Sequence, residues 1–396
     1  MCDKIPPLPY PNLRAFMRHI KGLDGLRGIA ALMVVLFHMD AFFGTAFSST
    51  GQYTQATTAW QIYRRLIDGN FSVAIFFMLS GYVLLAAYEK TLSATYLTSS
   101  AIKRYFRLTP IVLASCVAAF LLQGMVGFHN VEAAQAIGGH QWLADEYREP
   151  LSFFGAIKCG LIGAYEGNLA YNGPLWTIRL ELLGSFLLFG FAALFYTARH
   201  FPLYVATAIC FMSALWGDDG LYLSLFLLGG MLVKYQRLRL PLIWIIPALV
   251  LATENQWTPE ALFVSSHLPL PVSINALCHG AAAFLILAVT LKSDAFQRLL
   301  SIPPIAFLGR ISFALYAFHL PIMMSIGAWV MVHGGAPRTA AVLAILATLA
   351  ASLIVAFFAS VTIDQWSQRI SGAIAKALVR DDDKASPSYT KAAANQ

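Results

Sequence analysis

The sequence predicts an all-α, polytopic integral membrane helix bundle of about ten transmembrane helices, with N- and C-termini both cytoplasmic. Three observations predict it. Hydrophobic residues make up 58% of the 396 and charged residues 12%, with a mean hydropathy of +0.64; soluble domains carry about twice that share of charge. Apolar segments long enough, or nearly so, to cross a hydrocarbon core of about 30 Å recur along the whole length. Finally, Lys and Arg concentrate in alternate connections, as cytoplasmic loops require.

Taken in order, the first apolar segment, 24–46, follows a Pro-rich, charged segment over 1–21 and is long enough to remain as an anchor rather than a cleaved signal. The second covers 70–88. The third, 105–126, is flanked by the basic run KRYFR at 103–107, and an outer loop of about 127–173 follows. Pro174 opens the fourth, 174–196. Three short segments, 201–217, 220–235 and 240–254, precede 272–291, 305–332 and 340–363. One integral domain therefore fills 22–375. The stretch 376–396, RDDDKASPSYTKAAANQ and the residues before it, is polar and reads as a disordered cytoplasmic tail.

With the N-terminus inside, five of the 27 basic residues fall in outer segments: Arg64, Arg65, Arg148, Lys158 and Arg338. Arg179 sits within a span, and the other 21 face the cytoplasm. That asymmetry accounts for the net charge of +7 and the pI near 9.1. Basic clusters that flank membrane helices need no nucleic-acid partner; the lipid bilayer is their counterpart. The five cysteines are scattered without metal or redox spacing. No internal repeat of the kind common in secondary transporters is present. The outer loop holds Glu132, Asp145, Glu146, Glu149 and Glu166 beside Trp142, Tyr147 and Tyr165, a composition that fits either a cap over the helices or a surface that receives a sugar.

Ionisable groups inside spans are expensive and mark functional sites. In GLDGLRGIAALMVVLFHMDAFFG, residues 22–44, Arg27 and His38 are eleven residues apart. On a helix that is about 1100° of rotation and 16 Å of rise, so both lie on one stripe at two depths. Counted along their spans, His38, Glu181 and His319 reach a similar level in the outer half of the bilayer, with Asp40 and His279 close to it. A neutral imidazole there is a general base, and Glu181, if in reach, orients it. Two histidines and a carboxylate also suit zinc, yet no ligand spacing supports it and no metal is expected. Below lie Arg27, Lys103, Arg104, Arg107 and Arg310, and guanidinium groups suit phosphate. The two tiers fit a long donor held by its phosphates, with its reactive end above.

These residues fall in motifs. GLDGLRGIAALMVVLFH, FFMLSGYVL at 76–84, KRYFRLTP at 103–110, GPLWTIRLE at 173–181, LGRISFALYAFHLP at 308–321 and VTIDQW at 361–366 occur in that order. Together the sequence resembles the bacterial membrane acyltransferase family 3, whose members O-acetylate extracytoplasmic sugars. In that resemblance KRYFRLTP is a basic turn. Arg179 stands where the family often has serine, Leu182 where a polar residue is frequent, and Ala74 where aspartate is common. The resemblance implies a cytoplasmic acyl-CoA donor, acetyl-CoA first, and an extracytoplasmic carbohydrate or glycolipid acceptor, in a multi-pass protein of the bacterial inner membrane. It implies a catalytic role for His38 supported by Glu181 and His319, and a donor-side role for Arg27, to which Arg104, Arg107 and Arg310 are added. Arg179, Trp176 and Ser80 complete the expected substrate contacts, Arg179 for an anionic acceptor or acyl group and Ser80 as a candidate acyl-enzyme nucleophile. The competing reading is a transporter or exporter of small acylated or anionic molecules, using the same buried charges as a relay.

Overall fold

A computed structural model describes residues 21–47, 63, 67–137, 144–253 and 259–379. Arg64, Arg65, Trp142, most of the N-terminal segment and residues 380–396, which include most of the expected disordered tail, lie outside the described residues. The described residues are predominantly helical with no strand among them, and eight stretches are long and apolar enough to cross a membrane.

Helix α1 is Lys21–Phe43, and α2 is Gly69–Glu89, begun by Asp68, whose carboxylate accepts the Phe71 N–H at 2.9 Å. Helix α3, Ala94–Met125, begins eleven residues before the expected third span, so KRYFR is part of a helix and not a turn. Its 32 residues rise about 48 Å, which carries Arg104 and Arg107 into the bundle. Outside the spans, α4 is Asn130–Ile137 and α5 Phe153–Lys158; α6, Trp176–Phe195, follows a 3-10 turn over Gly173–Leu175.

Helix α7, Phe201–Lys234, is folded back at Gly217, whose φ of 56° and ψ of −131° break the helix. The arms are so close that a Cβ on Gly220 would sit 2.0 Å from the Met212 carbonyl oxygen. The segments expected at 201–217 and 220–235 are therefore the two arms of one hairpin. The expected seventh segment shrinks to Leu242–Ala252, a 3-10 turn and α8, Ile245–Ala252, about half a crossing in length. Helix α9 is Ile274–Lys292 and α10 Asp294–Leu300. Helix α11, Pro303–Ile322, continues through a π turn into α12, Ala328–His333. Helix α13, Pro337–Ala359, passes through another π turn, Ser360–Asp364, into α14, Gln365–Leu378, so the first residues of the expected tail are helical.

Leu203, Phe211, Leu346 and Phe358 are exposed on these helices, as expected where lipid is the solvent. The outer connection is a packed cap. Asn130 Nδ2 donates to the Ala144 and Glu146 carbonyls, Tyr147 stacks on Phe128 with centroids 3.9 Å apart, and buried Asn172 donates to Ala317 O at 2.7 Å. Cys116 of α3 and Cys159 of the cap are buried as free thiols in the small core that joins them.

Candidate active site

Two glycines set the register of the site. A Cβ on Gly28 of α1 would lie 2.3 Å from the Gly309 backbone nitrogen of α11, and one on Gly309 would lie 2.4 Å from Asp24 O. Only glycine allows this backbone approach, the small-residue contact by which helices associate in lipid. His38 follows Gly28 by ten residues, and His319 follows Gly309 by ten. In two parallel helices equal offsets arrive at equal height, about 15 Å along. There His38 Nδ1 and His319 Nε2 are 3.0 Å apart.

Hydrogen bonds assign the protons. His319 Nδ1 is 2.6 Å from the Tyr316 carbonyl, which only accepts, so His319 Nδ1 donates. Its Nε2 then accepts from His38 Nδ1–H, which is shared with Val34 O at 2.9 Å. In neutral His38 the lone pair therefore resides on Nε2. His319 is 1% exposed, whereas His38 retains partial exposure. Of this pair, His38 is the more exposed.

Beneath the pair lies a cavity of about 730 Å³. Its charged end is lined by Asp24 and Arg27 of α1, Arg104 and Arg107 of α3, Glu181 of α6, Arg310 of α11 and Asp364. Its other end is lined by Val73 and Phe76 of α2, Thr177 and Ile178 of α6, and Phe313 and Tyr316 of α11. Arg104 is ion-paired with Glu181 and donates to Ser185 Oγ at 2.7 Å. Ser80 donates to Glu181 Oε1 at 2.7 Å. Arg107 pairs with Asp364 and reaches Ser367 Oγ at 3.0 Å. Arg27 lies 3.5 Å from Asp24 Oδ1, and Arg310 stacks its guanidinium over Phe307 at 5.9 Å.

Six of the sequence-predicted residues thus share one cavity: Arg27, Arg104, Arg107, Arg310, Glu181 and Ser80. His38 and His319 form a pair above it. Glu181 is not the group that holds the His38 ring; it joins the cations, because α3 lifts Arg104 ten residues past its own start to meet it. The ring is held instead by His319 and the Val34 carbonyl. Arg179 and Trp176 do not line the cavity. Thr177, Ile178 and Glu181 turn the inward face of α6, which leaves Arg179 exposed, while Trp176 packs edge-on to Tyr222 at 6.2 Å. His279 sits in a separate polar group, 3.5 Å from Asp68 Oδ1 and 3.3 Å from Asn275 Nδ2.

Sequence reasoning missed Asp24, Asp364, Thr177 and Tyr316. Asp364 stood in view within VTIDQW, and Tyr316 precedes His319 by one turn in LYAFH. Among the described residues no three His, Cys, Asp or Glu side chains converge as a metal site would require.

The family model of acyltransferase family 3, described as an acyltransferase domain, matches residues 20–359. No curated protein and no solved structure gives a match. The match covers most of the chain and every element of the cavity except the π turn Ser360–Asp364 and the start of α14, so this multi-pass membrane protein belongs to acyltransferase family 3 and is an O-acyltransferase.

Proposed function

We propose that the enzyme transfers an acyl group, acetyl in the first instance, from acyl-CoA on the cytoplasmic side to a hydroxyl of an extracytoplasmic carbohydrate or glycolipid, in the bacterial inner membrane. The observation that carries this reading is one cavity with four arginines at one end and a histidine pair just beyond the other. Arginine forks bind phosphate bidentately. The nucleotide phosphates of the donor occupy the Arg27, Arg104, Arg107 and Arg310 end, and the pantetheine arm runs upward between Phe76, Ile178 and Phe313 toward the pair. Cavities of about 300–1,000 Å³ are the usual size for such ligands.

His38 Nε2 takes the acceptor hydroxyl proton as the oxygen attacks the thioester carbonyl. His319 positions His38 by accepting from Nδ1 and so fixes the lone pair on Nε2. Glu181 holds Arg104 and Ser80 in place. Ser80, whose proton is directed at Glu181, serves as a support rather than as a nucleophile. Arg179 and Trp176, outside the cavity at the start of α6, belong on this reading to the acceptor side.

Purified protein in detergent, given acetyl-CoA labelled in the acetyl group and a bacterial surface polysaccharide, is expected to place label on the sugar and release CoA. Label that crosses a proteoliposome membrane with no sugar modified would overturn the reading in favour of transport.

A further inference from the structure

Cavity and histidine pair do not meet. Tyr316 lines the far end of the cavity, and His319, one turn further along α11, does not; nor does His38. The Tyr316 ring lies between, with its centroid 5.9 Å from Phe76 on one side and 6.0 Å from His319 on the other. It is 6% exposed and held there. Its hydroxyl donates to Pro174 O at 2.5 Å and accepts from Thr177 Oγ1 at 2.8 Å. Pro174 lies in the 3-10 turn that leads into α6 and Thr177 in the first turn of α6, directly after Asn172, whose amide joins the end of the outer cap to Ala317 O of α11.

We propose that Tyr316 is the residue that selects a bound acceptor hydroxyl over water, by closing the donor cavity from the histidine pair until the acceptor is seated. The proposal rests on the donor reading above. Attack by either oxygen breaks the thioester C–S bond and forms a C–O bond at the acyl carbon. In both cases the attacking O–H gives its proton to His38, from which it passes to the departing thiolate. With a sugar hydroxyl the products are ester and thiol; with water they are carboxylic acid and thiol. The same base serves both, so chemistry at His38 does not discriminate between them, and access must. With Tyr316 locked, thioester and base are apart and water gains nothing. An acceptor bound against the outer cap acts on the turn that holds the lock, and the ring swings aside.

Acetyl-CoA supplied without acceptor tests this directly, with free CoA measured by chromatography. Tyr316→Ala is expected to raise CoA release about tenfold over the native enzyme, and Tyr316→Phe and Thr177→Val, each of which removes one hydroxyl of the lock, severalfold. KM for acetyl-CoA should stay within about twofold, a split that general damage to the cavity would not give. If the alanine variant fails to fold, the other two carry the test. Variants that melt at the native temperature and release CoA no faster than native enzyme would overturn the gate while leaving the donor reading intact. A native enzyme that neither transfers nor hydrolyses the acetyl group would overturn both.

Discussion

The cavity and the histidine pair adjoin one another yet are built on opposite principles. In the cavity charge is abundant and largely matched: Arg104 with Glu181 and Arg107 with Asp364 across elements, and Arg27 with Asp24 within α1. In the pair above, two rings bond to each other and to carbonyls of their own helices. A buried ion without a counter-ion is strongly destabilising, whereas a neutral ring is satisfied by a single carbonyl. The contrast teaches how the two regions respond to a ligand. On the donor reading proposed above, an incoming polyanion would exchange with carboxylates already present at one end, so binding would be an exchange of partners. On the same reading the pair takes a proton at His38 Nε2 while the existing His38–His319 hydrogen bond holds the ring, so its geometry need not change.

The largest expected effect breaks the upper region alone. His38→Ala removes the proposed base and should lower kcat for acyl transfer by about 10²–10⁴. KM for acetyl-CoA should barely move, because His38 does not line the cavity. Steady-state kinetics on protein of native melting temperature check this; a rise in KM with unchanged kcat would merge the two regions. Next in size, Arg27→Ala should weaken acetyl-CoA binding by about 10–100-fold through loss of a charge-assisted contact. Leu26→Ala, at a buried position beside it, is the comparison, and equal dissociation constants by calorimetry would remove Arg27 from the donor end.

The sequence made the helical class plain because lipid solvation leaves a compositional imprint, and it placed five charged cavity residues because charge in or beside an apolar span is rare enough to notice. The pairing of the histidines was also legible. GLRGIAALMVVLFH and LGRISFALYAFH each place histidine ten residues after a glycine, a coincidence that depth counting registered only as similar height. What depth counting could not supply was the true start of α3. Helix α3 begins at Ala94 in a polar stretch, where hydropathy has no signal, and that shift is what turned Glu181 from an imidazole partner into an arginine partner. The break at Gly217, by contrast, was legible, since the segments read at 201–217 and 220–235 part there; the positive φ that makes the fold-back was not. Arg179 stands apart from the cavity because its position on α6 turns it outward, which residue type alone does not show.

A smaller effect sharpens the idea that cavity arginines exchange partners. Asp364→Asn keeps the shape of the side chain and removes the charge that holds Arg107. Donor binding should tighten by about threefold to tenfold, since Arg107 no longer leaves a carboxylate to meet phosphate. Calorimetry with CoA reads this directly; weaker binding would mean that Asp364 positions Arg107 for the ligand instead of competing with it.

The smallest effect concerns a carboxylate treated in neither way. Glu146, in the outer cap, has its Oε1 close to Gly173, where a Cβ would lie 2.7 Å away, and no cation pairs with it among the described residues. Burial pushes its carboxyl up to about 7 from the usual 4.5. Below pH 4.5 folded and unfolded chains both hold this proton; between 4.5 and 7 only the folded chain does; above 7 the folded chain has given it up and the buried charge stands unpaired. The contribution of this group to stability is therefore full at low pH and lost as pH rises through 7. Glu146→Gln should be neutral near pH 5 and stabilise the cap by about 1 kcal/mol at pH 8, allowing for its partial exposure. Amide exchange of residues 128–137 and 144–147 at the two pH values would show it. Equal protection in native and variant protein at pH 8 would mean that the cap, like the cavity, supplies its carboxylate with a counter-charge.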